Sequence, residues 1–147
     1  MKIKYVDVTD PDLCALIRAG RSAAGKKYMP QHAPDSMACA VVAYIAGKPV
    51  GCGCWRAYDP VSAEIEQMYV CPACRRQGAA DGMLPALEQH AAASGCHRAV
   101  LAAGADMPEA IALFQKHGYR LMPNYGDFAG DNLCVCMEKE ISDGTMR

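Results

Sequence analysis

The hydrophobic pattern of this chain changes its period once, near residue 75, and this change limits the folds that the chain can adopt. Residues 63–70 read as a β-strand. From residue 78 onward, apolar side chains recur at intervals of three and four residues, which is the spacing of one helix face: Ala80, Met83, Leu84, Leu87 and Ala91. We therefore expect a strand that runs through a short loop directly into a helix.

The loop that joins this strand to this helix has the properties of an anion-binding site. The first turn of a helix leaves its backbone N–H groups unpaired, and the aligned peptide dipoles place partial positive charge there. Gly78 has no side chain, so a phosphate can approach those N–H groups closely. The small residues 79–80 keep the approach open, and Arg75 and Arg76 add positive charge. The sequence thus predicts a phosphate-binding loop.

Further strands and helices flank this unit. Strands are also predicted at residues 1–8, 37–46, 50–58, 98–103, 119–122 and 133–141. The first helix should begin with Asp10 as its cap and end at Gly20, and the third should begin with Asp106 as its cap. This order of elements predicts a mixed α/β sheet.

Length and charge exclude several classes of protein. A chain of 147 residues fits one domain, and we expect a single domain over residues 1–147. The net charge of −1 lacks the positive excess that binds nucleic acid or an anionic membrane. No apolar run approaches the roughly 20 residues of a membrane span, and the first ten residues do not resemble a secretory signal. We therefore expect a soluble, cytoplasmic protein.

Nine cysteines are an unusual number for this length. An odd number argues against a disulfide framework. Only Cys71 and Cys74 form a C-x-x-C pair, and no second pair exists to complete a tetrahedral zinc site. We expect no metal and reduced thiols, six of which lie in apolar stretches as small hydrophobic groups: Cys14, Cys39, Cys52, Cys54, Cys134 and Cys136.

Three segments together resemble the GNAT superfamily of acyl-CoA N-acyltransferases. The pyrophosphate loop of that family reads (Gln or Arg)-x-x-Gly-x-(Gly or Ala), and Arg75, Gly78 and Ala80 occupy its defined positions. Residues 68–72 resemble the family's lead-in strand, and residues 109–119 resemble its distal helix. The resemblance implies a mixed, mostly antiparallel α/β sheet of six or seven strands, with helices on both faces, splayed centrally to admit acyl-CoA.

The resemblance also implies acetyl-CoA as the co-substrate. The exposed backbone of residues 68–70 would pair with the pantetheine arm as an added strand, and an N–H there would polarise the thioester carbonyl. Backbone N–H groups of the loop and the first helical turn would hold the pyrophosphate. The coenzyme-binding residues implied in this way are Met68, Tyr69, Val70, Arg75, Arg76, Gln77, Gly78, Ala79, Ala80 and Asp81.

An amine acceptor must lose a proton before it attacks, which requires a base. Glu64 and Glu66 are two residues apart on a strand, so their side chains point to the same face and both are candidates. Glu64 matches a position at which many relatives carry a glutamate. Either carboxylate could instead be a solvated or ion-paired structural group.

Two positions depart from the pattern of the relatives. Phe114 stands where many of them place the tyrosine that protonates the leaving thiolate, and Met107 stands where they often carry an asparagine. A phenyl ring cannot donate a proton. Either the thiolate leaves unprotonated or another group serves; Tyr125, in the loop before the last strand, is the candidate acid, whereas Tyr119 is expected to pack at the helix end.

These expectations combine into an N-acetyltransferase that moves the acetyl group of acetyl-CoA to a primary amine by direct attack in a ternary complex. One alternative is an acyl-CoA-binding module with little or no turnover. Another is a thiol redox or metal protein that uses Cys71 and Cys74. The loops 24–35 and 123–132 would shape the acceptor pocket, but their composition leaves small-molecule and protein amines open. Many relatives are homodimers, so a homodimer is one expectation.

Overall fold

The computed structural model describes residues 1–24 and 36–141, so most of the first predicted acceptor loop lies outside the described residues. Two short 3₁₀ helices, Pro72–Cys74 and Gly126–Phe128, lie in loops. None of the described helices is both long and apolar enough to cross a membrane. The strands and α-helices follow in the order β1 (Lys2–Val6), α1 (Pro11–Ala24), β2 (Cys39–Ile45), β3 (Lys48–Asp59), β4 (Ser62–Val70), α2 (Ala79–Ala93), β5 (Arg98–Gly104), α3 (Pro108–Lys116), β6 (Arg120–Met122) and β7 (Cys134–Glu140).

The seven described strands form one sheet in the order β1-β2-β3-β4-β5-β7-β6. All neighbours are antiparallel except β4 and β5, which run parallel. A parallel pair needs a crossover connection, and α2 lies in the segment that provides it. The prediction of a mixed, mostly antiparallel α/β sheet of six or seven strands is confirmed.

The sheet separates two apolar cores because successive side chains of a strand point to opposite faces. On β2, Ala40 and Val42 join the core with α1, whereas Val41 and Ala43 join the core with α2. Phe114 of α3 belongs to the second core. Helices therefore cover both faces, as predicted, with their apolar stripes turned inward: Leu13, Leu16 and Ile17 from α1, and Met83, Leu84 and Leu87 from α2.

The prediction that α1 ends at Gly20 is wrong, because the helix continues to Ala24. Gly20 is instead a point of close approach between α1 and β4. A Cβ atom at this position would lie 3.2 Å from the Cβ of Tyr69. The absence of a side chain therefore lets the helix pack against the strand.

The predictions of the N-terminal caps of α1 and α3 had different outcomes. The carboxylate of Asp10 accepts a hydrogen bond from the N–H of Leu13 at 3.0 Å, so the predicted cap of α1 is confirmed. The cap of α3 is Met107 and not Asp106, and it makes no side-chain capping bond. Pro108 takes the first helical position, where its missing N–H costs nothing, and this sets the helix start.

β4 contains a bulge, and it also separates from its neighbour β5. The pairing of β4 with β3 skips a residue, so Gln67 and Met68 lie together opposite Gly53. Gln67 has a φ of +60°, which residues other than glycine rarely adopt. β4 pairs with β5 only over Ser62–Glu64. Beyond that point the two strands diverge, and the predicted central splay is confirmed.

Candidate active site

A cleft of about 1310 Å³ opens where β4 and β5 diverge. It extends from the loop before α2, along the end of β4, to the carboxyl groups of Glu64 and Glu66. Gln77 is a predicted site residue that does not line it. The structure brings the other predicted site residues together along its wall: Glu64, Glu66, Met68, Tyr69, Val70, Arg75, Arg76, Gly78, Ala79, Ala80, Asp81 and Tyr125.

At one end of the cleft, the loop before α2 presents unpaired backbone N–H groups. Gly78 caps the helix with a φ of +88°, a conformation that favours glycine. Within the described chain, no backbone carbonyl accepts a hydrogen bond from the N–H groups of residues 76–81. The first bond of this turn runs from the N–H of Gly82 to the carbonyl of Gly78, at 3.0 Å. This arrangement forms a cradle for an anion.

The two arginines of this loop point in different directions. The Nε of Arg75 donates a hydrogen bond to the carbonyl of Val70 at 3.0 Å, so this side chain folds back on β4. Arg76 is exposed, and its guanidinium lies 3.6 Å from the carboxylate of Glu109. Such an exposed ion pair is weak, so Arg76 can exchange it for a ligand.

The Asp81 side chain joins α2 to the end of α3, a contact that the sequence did not indicate. One carboxylate oxygen lies 2.7 Å from the Nε2 of His117 and 3.1 Å from the Nζ of Lys116. Hydrogen bonds from His117 and Lys116 lower the pKa of Asp81 below its usual value. The contact holds the anion cradle against α3.

Among the described strands, none pairs with the β5-facing edge of β4 beyond Glu64. Residues 68–70 lie on this free stretch and line the cleft. Unpaired backbone groups on a sheet edge can hydrogen-bond an extended chain. The middle of the cleft can therefore accept a linear, amide-containing ligand.

At the other end of the cleft, Glu64 and Glu66 hydrogen-bond each other. Glu64 is buried, with 4% of its surface exposed. One of its carboxylate oxygens accepts a hydrogen bond from the Nη1 of Arg56 at 2.9 Å, and the other accepts one from the hydroxyl of Tyr125 at 2.6 Å. Both oxygens of Glu64 are thus held by donors on other elements.

The two carboxyl groups differ in proton affinity. Burial raises the pKa of Glu66 to about 9, with further contributions from the hydrogen bond to Glu64 and from its charge. Burial also acts to raise the pKa of Glu64, but hydrogen bonds from Glu66, Tyr125 and Arg56 outweigh it and lower that pKa. At neutral pH the pair therefore holds one proton, and the hydrogen bonds that Arg56 and Tyr125 donate to Glu64 favour Glu66 as its carrier.

Tyr125 is held in an aromatic cluster. Its ring meets the ring of Tyr58 edge-on at 4.8 Å between centroids and that of Phe128 at 5.7 Å. Burial, followed by the hydrogen bond to Glu64 and by its charge, raises the pKa of Tyr125. The hydroxyl therefore stays protonated, and it is directed at Glu64.

Phe114 lines the cleft and presents no hydroxyl there. Its ring packs edge-on against Tyr119 at 5.7 Å. The hydroxyl of Tyr119 donates to the buried carboxylate of Glu88 at 2.7 Å, and Lys139 donates to the same carboxylate at 2.8 Å. Tyr119 therefore packs at the end of α3, in agreement with the expectation from the sequence.

Arg21, Arg56 and Gln67 also line the cleft, and none of them was predicted from the sequence as a site residue. Arg56 faces Glu64 through the β3–β4 register. Arg21 reaches the cleft because α1 continues past Gly20. The local sequence pattern predicts neither the register of β3 and β4 nor the end of α1. It also does not predict the bulge that contains Gln67.

Cys71 and Cys74 are free and partly exposed. Within the part of the chain that the structure describes, no group of three or more His, Cys, Asp or Glu side chains is placed to hold a metal ion. All nine cysteines are free thiols, and five of them are buried. A redox role for Cys71 and Cys74 stays an untested alternative.

Comparisons with known proteins agree with this geometry. The sequence profile of the Acetyltransferase (GNAT) family matches residues 12–119. The uncharacterised N-acetyltransferase YjcF of Bacillus subtilis strain 168 is 34% identical over 82 residues, and this match covers 56% of each chain. The chain thus spans little more than half the length of that relative.

Two solved structures share the fold. A proposed acyl-CoA N-acyltransferase from Klebsiella pneumoniae subsp. pneumoniae MGH 78578 is 29% identical, with a TM-score of 0.83 over 95% of this chain and 97% of that one. A GNAT family acetyltransferase from Elizabethkingia anophelis, solved with acetyl-CoA bound, is 17% identical, with a TM-score of 0.74 over 95% and 97% of the two chains. The profile match covers well over half of the chain, and on that ground the chain belongs to the GNAT family of acetyltransferases, which are acyl-transferring enzymes.

Proposed function

We propose that the protein transfers the acetyl group of acetyl-CoA to a primary amine, by direct attack of the amine in a ternary complex. The observation that carries this proposal is the continuity of the cleft. It joins an anion cradle, a free strand edge and a buried pair of carboxyl groups in one cavity. The related Elizabethkingia protein, which has the same fold, contains acetyl-CoA.

Each part of acetyl-CoA has a matching part of the cleft. The N–H groups of residues 76–81 would hold the pyrophosphate, assisted by the partial positive charge at the start of α2. The free edge at residues 68–70 would pair with the amides of the pantetheine arm. An N–H on this edge would stabilise the oxyanion that forms when the amine attacks the thioester.

The Glu64–Glu66 pair would remove the proton from the amine. Arg56 and Tyr125 donate hydrogen bonds to Glu64 and lower its proton affinity, whereas the raised pKa of Glu66 makes it the stronger base of the pair, so we assign the proton exchange with the substrate to Glu66. Glu66 must first release its own proton, after which it acts as the base. Glu64 then serves as a fixed charge beside it.

Tyr125 was a candidate acid for the leaving thiolate. Its hydroxyl donates to Glu64, and its raised pKa opposes release of the proton. We therefore assign Tyr125 to positioning Glu64, together with Arg56. The thiolate would then leave unprotonated or take a proton from water.

The test of the proposal is isothermal titration of the reduced protein with acetyl-CoA, in the wild type and in Gly78→Glu. The variant places bulk and negative charge in the anion cradle, so we expect saturable binding that it loses. Gly78 has a positive φ, and any side chain there also strains the backbone. Gly95→Glu is the matched control, since Gly95 has a φ of +101°, lies after the far end of α2 and has no neighbour within 4 Å of an added Cβ.

Retained affinity in Gly95→Glu with loss in Gly78→Glu would support the assigned cradle. Absence of acetyl-CoA binding in the wild type would overturn the proposed function and favour the alternative of a thiol redox or metal protein that uses Cys71 and Cys74. Binding without transfer to any amine would favour the acyl-CoA-binding module. A cytoplasmic location and a homodimer stay predictions from the sequence.

A further inference from the structure

Three buried N–H donors near the carboxyl pair have no hydrogen-bond partner within the described chain. They are the Nε of Arg21, the Nε of Arg56 and the Nε2 of Gln67. The three residues come from α1, β3 and β4, and all of them line the cleft. An unpaired buried donor costs free energy, and native proteins keep few of them. The three donors belong to residues that line one cavity, so a small movement of these side chains would bring them to a ligand that supplies the missing partner.

The charges at this end of the cleft favour a negatively charged ligand. Arg56 is paired with Glu64 at 2.9 Å, and Glu66 carries a proton at neutral pH. Arg21 acts electrostatically on Glu66, and it forms none of the ion pairs found between described residues. Asp127 also lines the cleft but is exposed, so water and salt screen its charge. Among the described residues, one positive charge at this end of the cleft therefore lacks a buried, ionised partner.

The backbone supports the same interpretation. Gln67 is in the bulge of β4 with a φ of +60°. A residue in this region is strained, and such strain is often found at binding sites. The bulge interrupts the alternation of β4 at Gln67, and Gln67 is one of the residues that line the cleft.

We propose that the acceptor is an amine that also carries a carboxylate, and that Arg21, Arg56 and Gln67 bind this carboxylate. The inference rests on the proposed acetyl transfer. The guanidinium of Arg56 uses Nη1 for Glu64, and its Nε side stays available for a second carboxylate. Its side chain is 22% exposed, so it can turn that side toward a ligand. The amine of a molecule anchored here would lie beside the Glu64–Glu66 pair.

The test measures CoA release with acceptors in matched pairs, the common amino acids against their amino acid amides. Each pair keeps the amine and differs in the carboxylate. We expect kcat/KM for the acids to exceed that for the amides by about tenfold or more, the factor expected for one charge-assisted interaction. Arg21→Gln should lose most of this preference through KM, while the Kd for acetyl-CoA in isothermal titration stays unchanged.

Arg18→Gln is the matched control. Arg18 lies one turn earlier on α1, is exposed and does not line the cleft. It should keep the wild-type preference for acids. The amine pKa also differs between an acid and its amide, so the decisive quantity is the change in the acid-to-amide ratio from wild type to Arg21→Gln.

Amides used as well as acids, or a ratio that Arg21→Gln leaves unchanged, would overturn the inference and leave the acetyl transfer intact. Absence of acetyl-CoA binding in the wild type would instead overturn the proposed function. If no acid or amide leads to release of CoA, the shift in melting temperature that each compound causes in the CoA-bound protein is measured instead. Acids that stabilise this complex more than amides support the carboxylate site, and equal shifts overturn it.

Discussion

At the scale of single residues, the proton on Glu66 controls the proposed chemistry. Its carboxyl group is surrounded by Glu64 on the same strand and by the charges of Arg56 and Arg21. The pKa of Glu66 is raised to about 9, so the free enzyme holds this group protonated at neutral pH. We expect kcat/KM to rise with pH toward this value, since only the deprotonated carboxylate can act as a base.

Glu66→Gln keeps the shape of the side chain and removes the base. The expected loss in kcat is about 100-fold or more, the typical contribution of general base catalysis. The rise with pH should disappear in the variant. Because the acceptor amine also titrates, the wild-type profile should be repeated with an amine of different pKa. A midpoint of the pH profile that shifts with the pKa of the amine would contradict the role of Glu66 as the base.

Phe114 determines whether protonation of the thiolate limits turnover. Its ring lines the cleft without a hydroxyl. We expect Phe114→Tyr to raise kcat about tenfold, a modest share of what a well-placed acid contributes, with an unchanged Kd for acetyl-CoA. Phe114→Leu is the control, since it alters the packing against Tyr119 without adding an acid. Equal kcat values in wild type and Phe114→Tyr would show that departure of the thiolate does not require a proton donor at this position.

At the scale of elements, Gly53 lies opposite the bulge of β4, where a side chain would meet Met68 and Leu87. A Cβ on Gly53 would overlap the Sδ of Met68 and lie 3.1 Å from the Cδ1 of Leu87. Gly53→Ala should lower the free energy of unfolding by about 1–3 kcal/mol, the usual cost of overpacking. Urea denaturation measures this difference.

The double variant Gly53→Ala, Met68→Ala separates the clash from other effects. The cost of Gly53→Ala should be smaller in the Met68→Ala background, since the overlapping atom is then absent. Equal costs in both backgrounds would mean that the bulge does not depend on this contact.

The strand–loop–helix unit could be predicted from the sequence because hydrophobic period, glycine and helix cap are local signals. The anion cradle proposed at Gly78 follows from that unit, and no described backbone carbonyl accepts a hydrogen bond from its N–H groups, as expected. The end of α1 could not be predicted in this way. Gly20 looks like a local stop signal, but its role depends on Tyr69, which is distant in the sequence.

At the scale of the whole molecule, the carboxyl pair links stability to pH. The pKa of Glu66 is raised from 4.5 in the unfolded chain to about 9 in the folded one. Its favourable contribution is therefore complete below pH 4.5 and is lost as the pH rises through about 9. The lowered pKa of Glu64 has the opposite sign, so its contribution is lost as the pH falls through its folded-state value.

Urea denaturation of the reduced protein between pH 5 and pH 9 tests this linkage. We expect the difference in unfolding free energy between Glu66→Gln and wild type to shift in favour of the variant as the pH rises, because glutamine has no proton to lose. Parallel pH profiles for the two proteins would show that Glu66 is not held protonated by the fold.

The sequence alone determined the order of strands and helices, the glycine-containing loop before α2 and the pair of glutamates on one strand face. These follow from spacing along the chain, where a period of two or of three to four sets the face of each side chain. Only the tertiary structure decided the partners of that pair. Tyr125 reaches Glu64 across 61 residues, and Arg56 reaches it through strand register. Such contacts depend on how elements pack against each other, and no local pattern specifies that packing.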